Sequence, residues 1–305
     1  MRFGIALPNY GPLATPATLA RLARVAEDAG VDSIWVSDHL VAPVATRSIY
    51  PYDRRPDAKP GDMGVIERFY EPLTTLAWLA GQTRRVRLGV SAYVLPYRNP
   101  VLTAKLAATL DDLSGGRLIL GIGTGWLREE FEALDVPYAA RGARTEDYLA
   151  VMNALWSGRE ARFDGRHYRL PPVRTGPPPA QHPRPPLWIA GNSPRALDRA
   201  ARLGDGWHAI DLAPDELGPL VEALRARVSA AGRPAGAVAV TLRKGVLVRK
   251  DASGRPLYGD RDAIRRDLEA YGAAGLDYLV AGLRQARTPD EVETALRETA
   301  GALGG

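Results

Sequence analysis

Eight short apolar runs alternate with segments of helical periodicity along the chain. In the first unit, the apolar run from Phe3 to Leu7 is followed by Thr15 and Pro16, which suit an N-cap and a first helical residue, and Gly30 ends the helix. Strands that alternate with helices pair in parallel through right-handed crossovers. The runs interpreted as strands lie within residues 3–7, 33–36, 86–90, 118–121, 187–190, 206–210, 238–248 and 278–281.

Eight such units predict an α/β fold of the (β/α)8 TIM-barrel type with extended βα loops. The chain has 305 residues, which exceeds the roughly 250 of a typical barrel by an amount that long loops can absorb. A doubly wound open sheet is the alternative. The count of eight, and the lack of a composition break between the two halves, favour the barrel. We therefore expect one domain over residues 1–305.

The composition excludes several classes of function. The formal net charge is +5, but the basic residues are scattered rather than arranged in a stripe with aromatics, so we expect no nucleic-acid partner. The chain has no cysteine, which excludes disulfides, thiolate metal sites and cysteine nucleophiles. It also lacks the histidine spacings of zinc hydrolases, a G-x-S-x-G elbow and a P-loop, and we expect no metal. Because no apolar run approaches about 18 residues and no leader precedes the first strand, we expect a cytoplasmic protein without a membrane partner.

One histidine directly follows a strand. His39 comes after the second strand, whereas His167, His182 and His208 do not stand at such a position. Barrel enzymes carry their chemistry where strands end and βα loops begin, and an imidazole exchanges protons near neutral pH. His39 is thus the candidate catalytic residue. The alternative is a histidine that caps the strand and bonds a loop.

The turn after the fifth strand suits a phosphate. Gly191-Asn192-Ser193-Pro194-Arg195 places a potential N-cap and a first-turn proline at the start of a helix. Free backbone N–H groups, the helix dipole, the Ser193 hydroxyl and the Arg195 guanidinium would all favour an anion there. An ordinary capped helix, which needs Ser193 but neither the glycine nor Arg195, is the alternative.

A glycine-rich turn follows the fourth strand. Gly121-Ile122-Gly123-Thr124-Gly125 lacks the spacing of a dinucleotide fingerprint, and Arg141 stands where an acidic residue would be needed. We reject a Rossmann site. Small residues here would let a flat ring approach the barrel mouth, so we expect Gly123 and Thr124 to contact a cofactor.

Together these segments resemble the luciferase-like monooxygenase superfamily over nearly the whole chain. The most telling stretch, from Arg87 to Trp126, reads RLGVSAYVLPYRNPVLTAKLAATLDDLSGGRLILGIGTGW, and DSIWVSDHL, IAGNSPRAL and LGDGW agree with it. The SDHL and SIYPYD segments and the short inserts make the chain similar to the branch that uses the deazaflavin coenzyme F420.

The resemblance implies roles for several residues. His39 would face the cofactor ring and assist hydride or proton transfer, and Asp38 would support it or bind the ring edge. Ser91 and Ala92 fall where the family has a non-proline cis peptide against the back of the ring. The turn 191–195, with Gly191, Asn192, Ser193 and Arg195, would take the cofactor phosphate.

The chain departs from the family pattern at two points. Trp126 stands where F420-dependent sugar-phosphate dehydrogenases have an acidic proton donor, so their substrate chemistry is not carried over. Some FMN-using relatives have a tyrosine near the cofactor phosphate, where this chain has the segment 140–144. Arg141 or Arg144 could replace that tyrosine, with a helix-surface role as the alternative.

A long loop from Val41 to Phe69 has the length of a lid or binding loop. Its Tyr50, Tyr52, Arg54 and Arg55 could close over a substrate, and the excursion 158–186 could add a wall; surface decoration or an oligomer contact is the alternative for both. We expect Trp126 and Tyr93 to make the pocket flat and apolar, which favours an organic, non-phosphorylated substrate.

Three functions are compatible with these features. The first is an F420-dependent oxidoreductase that moves hydride between the deazaflavin and a small organic substrate. The second is an FMN-dependent monooxygenase that receives reduced flavin from a separate reductase, and the third is a barrel that binds flavin without catalysis. By resemblance we also expect a homodimer.

Overall fold

Eight parallel strands close into a barrel in the computed structural model of the chain, which describes residues 1–62, 67–249, 255–284 and 286–304. Each barrel strand pairs with the next along the chain, and the last pairs with the first. The predicted closed α/β barrel is therefore confirmed, and every predicted run coincides with a barrel strand. These strands are β1 (Arg2–Ala6), β2 (Ser33–Val36), β3 (Arg87–Val94), β4 (Leu118–Gly123), β7 (Leu187–Ala190), β8 (Gly206–Ile210), β9 (Ala239–Val248) and β11 (Tyr278–Leu283).

The helices surround the barrel and start where the sequence places caps. The side chains of Thr15, Ser193 and Thr288 each accept a hydrogen bond from a backbone N–H three residues later, and a proline follows each of them directly. The α-helices of the described residues are α1 (Pro16–Asp28), α2 (Pro72–Ala80), α3 (Pro100–Leu113), α4 (Arg128–Ala133), α5 (Arg141–Trp156), α6 (Pro194–Leu203), α7 (Pro214–Ala230), α8 (Arg261–Ala273) and α9 (Pro289–Leu303).

Aromatic side chains fill the barrel interior. The Trp35 ring stacks on Trp188 with centroids 4.9 Å apart, and Tyr278 meets Trp188 edge-on at 5.1 Å. Neighbouring glycines make room for the indole: a Cβ on Gly89 would lie 2.3 Å from the Trp35 ring, and one on Gly4 would lie 2.4 Å from its nitrogen. Large and small residues thus complement each other across adjacent strands.

Three features depart from the sequence prediction. The excursion 158–186 contains a hairpin, β5 (Ala161–Asp164) and β6 (Arg169–Val173), which the sequence analysis did not identify. A further short strand, β10 (Tyr258–Gly259), pairs with β9. Strand β3 is longer than predicted because it continues through a bulge between Val90 and Tyr93. None of the helices in the described ranges combines the length and apolar character that crossing a bilayer would require.

Candidate active site

His39 lies at the carboxyl end of the barrel, directly after β2, and a buried carboxylate holds its ring. Its Nδ1 is 2.6 Å from Oε2 of Glu130, whose side chain is fully buried on α4. Glu130 also accepts hydrogen bonds from the Leu40 N–H at 2.7 Å and the Tyr97 hydroxyl at 3.0 Å. Burial alone would raise the pKa of Glu130, but the hydrogen bonds and charge from His39, with those from Leu40 and Tyr97, lower it overall.

An ionised Glu130 fixes the tautomer of His39. A carboxylate only accepts hydrogen bonds, so Nδ1 of His39 carries the hydrogen in this contact. Nε2 is then the ring nitrogen left to exchange a proton with a ligand. The side chain of His39 is 20% exposed, which leaves it accessible from the mouth.

Aromatic rings surround His39. Phe69 and Trp126 both meet the imidazole edge-on, with centroids 5.4 and 6.1 Å away. Tyr10 stacks on Phe69 at 5.1 Å, and Tyr50 of the long loop meets Trp126 at 5.2 Å. The expected flat, apolar character of the mouth is therefore present, with Trp126 in it.

Tyr93 does not contribute to this wall, and that prediction is wrong. Its ring is fully buried, its hydroxyl lies 3.4 Å from Thr103 of α3, and the Arg98 guanidinium sits over its face at 4.2 Å. Strict alternation from Val90 would have pointed Tyr93 into the barrel. The bulge adds one residue, which turns Tyr93 outward towards the helices.

Asp38 is committed to an ion pair. Its carboxylate receives two hydrogen bonds from Arg98, at 2.7 and 2.8 Å, and one from the Val94 N–H at 2.8 Å. The Asp38 side chain is fully buried and its contacts in the described residues do not include His39. Through these contacts Asp38 joins the ends of β2 and β3. Its predicted contact with a cofactor stays a prediction.

The peptide between Ser91 and Ala92 is cis, as the resemblance led us to expect. The bulge that contains it lies close to β4: a Cβ on Gly121 would be 2.2 Å from the Val90 carbonyl oxygen, and one on Gly123 would be 3.3 Å from Ala92 Cβ. Glycine at these two positions of β4 therefore allows the bulge to press against the neighbouring strand.

A chain of hydrogen bonds fixes the Ser91 hydroxyl. Thr241 donates its only hydroxyl hydrogen to the Trp207 carbonyl at 3.1 Å, so its oxygen must accept from Nδ1 of His208 at 2.7 Å. Nε2 of His208 then accepts from the Ser91 hydroxyl at 2.8 Å. Burial, with a smaller effect of the Arg243 charge, lowers the pKa of His208 to about 3, which keeps this chain neutral.

Arg243 of β9 reaches the same rim from the opposite side of the barrel. It donates to the Ser91 carbonyl at 2.5 Å and to the Ser37 hydroxyl at 3.1 Å. Burial lowers its pKa, and the nearby Tyr10 and Tyr50 hydroxyls oppose that effect. Sequence reasoning did not single out this residue.

The turn after β7 has the backbone of a close-approach site. Gly191 has a φ of 123°, a conformation that side chains rarely adopt, and its carbonyl accepts from the Trp207 indole at 2.7 Å. The Asn192 side chain bonds both backbone groups of Ile210, so it braces β7 and β8. Ser193 caps α6, whereas the exposed Arg195 side chain makes no hydrogen bond or ion pair with the described part of the chain.

Arg195 thus remains available for the predicted phosphate, while Gly191 uses its N–H with the His208 carbonyl and its carbonyl with the Trp207 indole. The side chains of Asn192 and Ser193 serve the fold through their contacts with Ile210 and Ala196. Thr124 makes no hydrogen bond within the described ranges and stays a predicted cofactor contact.

Residues 41–62 of the long loop are fastened over the mouth at two places. Glu129 of α4 accepts from the backbone N–H and hydroxyl of Ser48, and Arg54 forms a two-pronged ion pair with Glu216 of α7 at 2.9 Å. Tyr50 and Tyr52 lie between these fastenings, and a Cβ on Gly191 would be 3.3 Å from the Tyr52 hydroxyl. Residues 63–66 of the predicted lid lie outside the described residues.

Two arginines considered as tyrosine substitutes have partners elsewhere. Arg141 donates to the Gly125 carbonyl at 3.2 Å and lies over the Tyr138 ring at 3.9 Å. Arg144 donates to the Tyr148 hydroxyl at 2.9 Å, although its Nε is buried without a partner among the described residues. Arg141 therefore supports the glycine-rich turn.

Glu130, Arg98 and Arg243 are the site residues that the sequence did not reveal. Glu130 gave no signal, because it sits in a short helix among other charged residues. Arg243 did give one: Arg243-Lys244 interrupts an otherwise apolar barrel strand, where near-continuous apolar residues are the rule.

The chain resembles known proteins in sequence and in fold. The family model described as luciferase-like monooxygenase matches residues 1–292. The chain is 36% identical over 248 residues to a phthiodiolone/phenolphthiodiolone dimycocerosates ketoreductase of Mycobacterium kansasii; the match covers 77% of this chain and 65% of that protein. Thus the match spans less than two thirds of that relative.

Solved structures share the fold at low identity. A monooxygenase from Streptomyces bottropensis superimposes with a TM-score of 0.81 at 22% identity, covering 99% of this chain and 98% of the other. The coenzyme F420-dependent tetrahydromethanopterin reductase of Methanopyrus kandleri does so with a TM-score of 0.77 at 19% identity, covering 98% and 97%.

Proposed function

The chain belongs to the luciferase-like monooxygenase family, a family of oxidoreductases, and from this premise we propose that it uses coenzyme F420 to move a hydride to or from an organic substrate. The observation that carries the proposal is the hydrogen bond from His39 to the buried Glu130. It leaves one nitrogen of His39 to exchange a proton at the barrel mouth. The similarity to a ketoreductase supports a carbonyl or alcohol as the reacting group.

The residues at the mouth fit a flat tricyclic ring. Phe69, Trp126 and Tyr50 present aromatic surfaces around His39, and the bulge at Ser91–Ala92 offers a backbone surface that a ring could lie against. When bound there, the deazaflavin would supply the carbon that carries the hydride.

The turn after β7 fits the phosphate of such a cofactor. Gly191 adds no side chain to the turn, and the start of α6 carries the partial positive charge of a helix N-terminus. Arg195 stands one residue beyond the first helical position with its guanidinium unengaged in the described residues. An oxyanion here would give Arg195 the partner that it lacks.

His39 would manage the proton that accompanies hydride transfer. A carbonyl that gains a hydride must also gain a proton on oxygen, and an alcohol that loses a hydride must release one. Nε2 of His39 would exchange that proton, while the hydrogen bond from Nδ1 to Glu130 orients the ring. The aromatic walls and the fastened loop would limit the access of water to the reacting groups.

Anaerobic titration of the whole protein with F420 and with FMN tests the cofactor. We expect F420 to bind more tightly than FMN, and reduced F420 to be oxidised when ketones are added. Tight FMN binding with oxygen consumption, when a reductase supplies reduced FMN, would instead indicate a monooxygenase.

Substitutions at the dyad test the proton role. We expect His39→Asn to lower kcat by about 100- to 10,000-fold, the range for a lost general acid–base group, and to remove one limb of the pH–rate profile. Glu130→Gln should lower kcat by about 10- to 100-fold and displace that limb. Glu222→Gln, an exposed change on α7, is the control.

The cofactor dissociation constant should change little in these variants. If His39→Asn retains full activity with every substrate that the wild type accepts, the proton role is wrong. If the wild type binds a flavin but shows no turnover at all, the non-catalytic barrel is the better description.

A further inference from the structure

Arg243 is a cation at the floor of the barrel mouth. Strand β9 lies opposite β3 in the barrel, and the Arg243 side chain crosses the interval to donate to the Ser91 carbonyl at 2.5 Å. Its second contact is the Ser37 hydroxyl at 3.1 Å, two residues before His39. The guanidinium therefore lies between the cis peptide and the proposed proton-exchanging histidine.

Arg243 has no carboxylate partner within 4 Å in the part of the chain that the structure describes. Its neighbours at the rim are balanced differently: Lys244 pairs with Asp211 at 3.0 Å, and Arg98 pairs with Asp38 at 2.7 Å. Another cation, Arg284, acts on Arg243 as a repelling charge. A largely buried cation that only neutral oxygens contact is costly to retain.

We propose that Arg243 forms an anion subsite that receives a planar, delocalised oxyanion of a bound molecule. The guanidinium has five N–H groups, and the contacts with Ser91 and Ser37 use one on each terminal nitrogen. The remaining donors form a planar fork that matches a carboxylate or an ionised carbonyl edge of a ring.

Two molecules could supply that oxyanion, and the location favours one of them. Because Arg243 bonds the peptide that the proposed cofactor ring would lie against, the ionised carbonyl edge of the reduced ring is the expected ligand. This part of the inference rests on the proposed function. A substrate carboxylate has the same chemistry and is the second source.

The subsite has a direct consequence for reactivity. A fixed cation beside an ionised ring edge stabilises the reduced state of the cofactor relative to the oxidised state. A fixed cation beside a substrate carboxylate would instead make the enzyme prefer acids over neutral ketones. Loss of the Arg243 charge should therefore change the reduction potential if the cofactor supplies the oxyanion, and the substrate preference if the substrate supplies it.

The first experiment uses the protein without cofactor. Thermal unfolding is followed in potassium acetate and in potassium chloride at equal ionic strength, for wild type, Arg243→Gln, Arg243→Lys and the exposed control Arg24→Gln. We expect acetate to raise the Tm of wild type and Arg24→Gln, to do so less for Arg243→Lys, and to have no effect on Arg243→Gln. If Arg243→Gln does not fold, the comparison rests on Arg243→Lys. A rise in Tm with acetate as large for Arg243→Lys as for the wild type would then overturn the proposal.

The second experiment distinguishes the sources. We expect Arg243→Gln to lower the two-electron reduction potential of bound F420 by about 30 mV, equivalent to a tenfold loss of preference for the reduced form. An unchanged potential with a tenfold or greater loss of kcat/KM for 2-oxo acids, but not for neutral ketones, would assign the subsite to the substrate.

If acetate protection, potential and substrate preference are all the same in Arg243→Gln and wild type, Arg243 only braces β9 against β3 and the proposal is wrong. If the wild type binds neither F420 nor FMN, the proposed function fails, while the acetate experiment still decides whether the anion subsite exists.

Discussion

Replacement of His208 by glutamine removes one buried imidazole that takes up a proton when the protein unfolds in acid. The difference between the two proteins therefore measures the contribution of this group to the pH dependence of stability. His208 is fully buried in β8, its Nε2 accepts from Ser91 and its Nδ1 donates to Thr241. Burial first, and the charge of Arg243 second, lower its pKa from 6.5 to about 3. Glutamine is similar in reach and stays neutral at every pH.

The sign of the effect follows from proton counts. Between pH 6.5 and 3 the unfolded chain binds a proton at His208 and the folded chain does not, so unfolding takes up a proton and stability falls as the pH falls. The slope approaches about 1.4 kcal/mol per pH unit. From pH 6.5 to about pH 4 the wild type should therefore lose about 3 kcal/mol that the glutamine variant does not lose.

Urea unfolding measured by tryptophan fluorescence at several pH values between about 7 and 4 provides the comparison. The glutamine variant is expected to be less stable than wild type near neutral pH and to approach or overtake it at the acidic end. His182→Gln, at an exposed position, is the control and should follow the wild type. If the plots of unfolding free energy against pH for wild type and His208→Gln stay parallel across the range, His208 is not held neutral in the folded protein.

Two further changes test the packing and the ion pair that support the site. Gly89→Ala should destabilise the fold by about 3 kcal/mol, because its methyl would lie 2.3 Å from an indole carbon in the barrel interior. Gly272→Ala, at an exposed position of α8 where the nearest atom would be 3.9 Å from the methyl, should stabilise the fold by up to about 1 kcal/mol. Denaturant midpoints measure both changes, and equal effects would contradict the role of Gly89 in packing. Asp38→Asn should lower the free energy of unfolding by about 3–5 kcal/mol, because it leaves the Arg98 charge in a buried site without its main partner. The exposed control Asp112→Asn should lower it by less than about 0.5 kcal/mol. An equally small loss for Asp38→Asn would show that the Asp38–Arg98 pair is solvated.

The sequence could predict the barrel because its information is local and repeated. Caps such as Thr15 and Ser193 and the apolar runs mark each βα unit independently, so an error in one unit does not alter the count. His39 could be predicted for the same reason, since its position depends only on the end of β2.

Contacts between distant segments could not be predicted in this way. Glu130 meets His39 across 91 positions of the chain, and Arg243 meets Ser91 across 152. A charge within an apolar strand marks Arg243 itself, but no local pattern shows which distant residue Glu130 or Arg243 contacts. Tyr93 was misplaced because one additional residue in a bulge reverses the side-chain alternation of a strand, and the sequence does not show that residue as an insertion.

His39 at the barrel mouth and His208 inside the barrel have different surroundings, which suit the proposed proton-exchanging role of the first and the neutral state of the second. His39 contacts a carboxylate, Glu130, and remains partly exposed, so a ligand at the mouth can reach its ring. His208 contacts two hydroxyls and has Arg243 nearby, so protonation of its ring would add a second positive charge where the described residues offer no carboxylate to balance it. The buried carboxylate of Glu130 thus stands beside His39, and the positive charge of Arg243 lies on the floor next to Ser91. Under the proposed function, an anionic ligand would contact the Arg243 cation, and His39 would supply the proton that a carbonyl oxygen needs when its carbon gains a hydride.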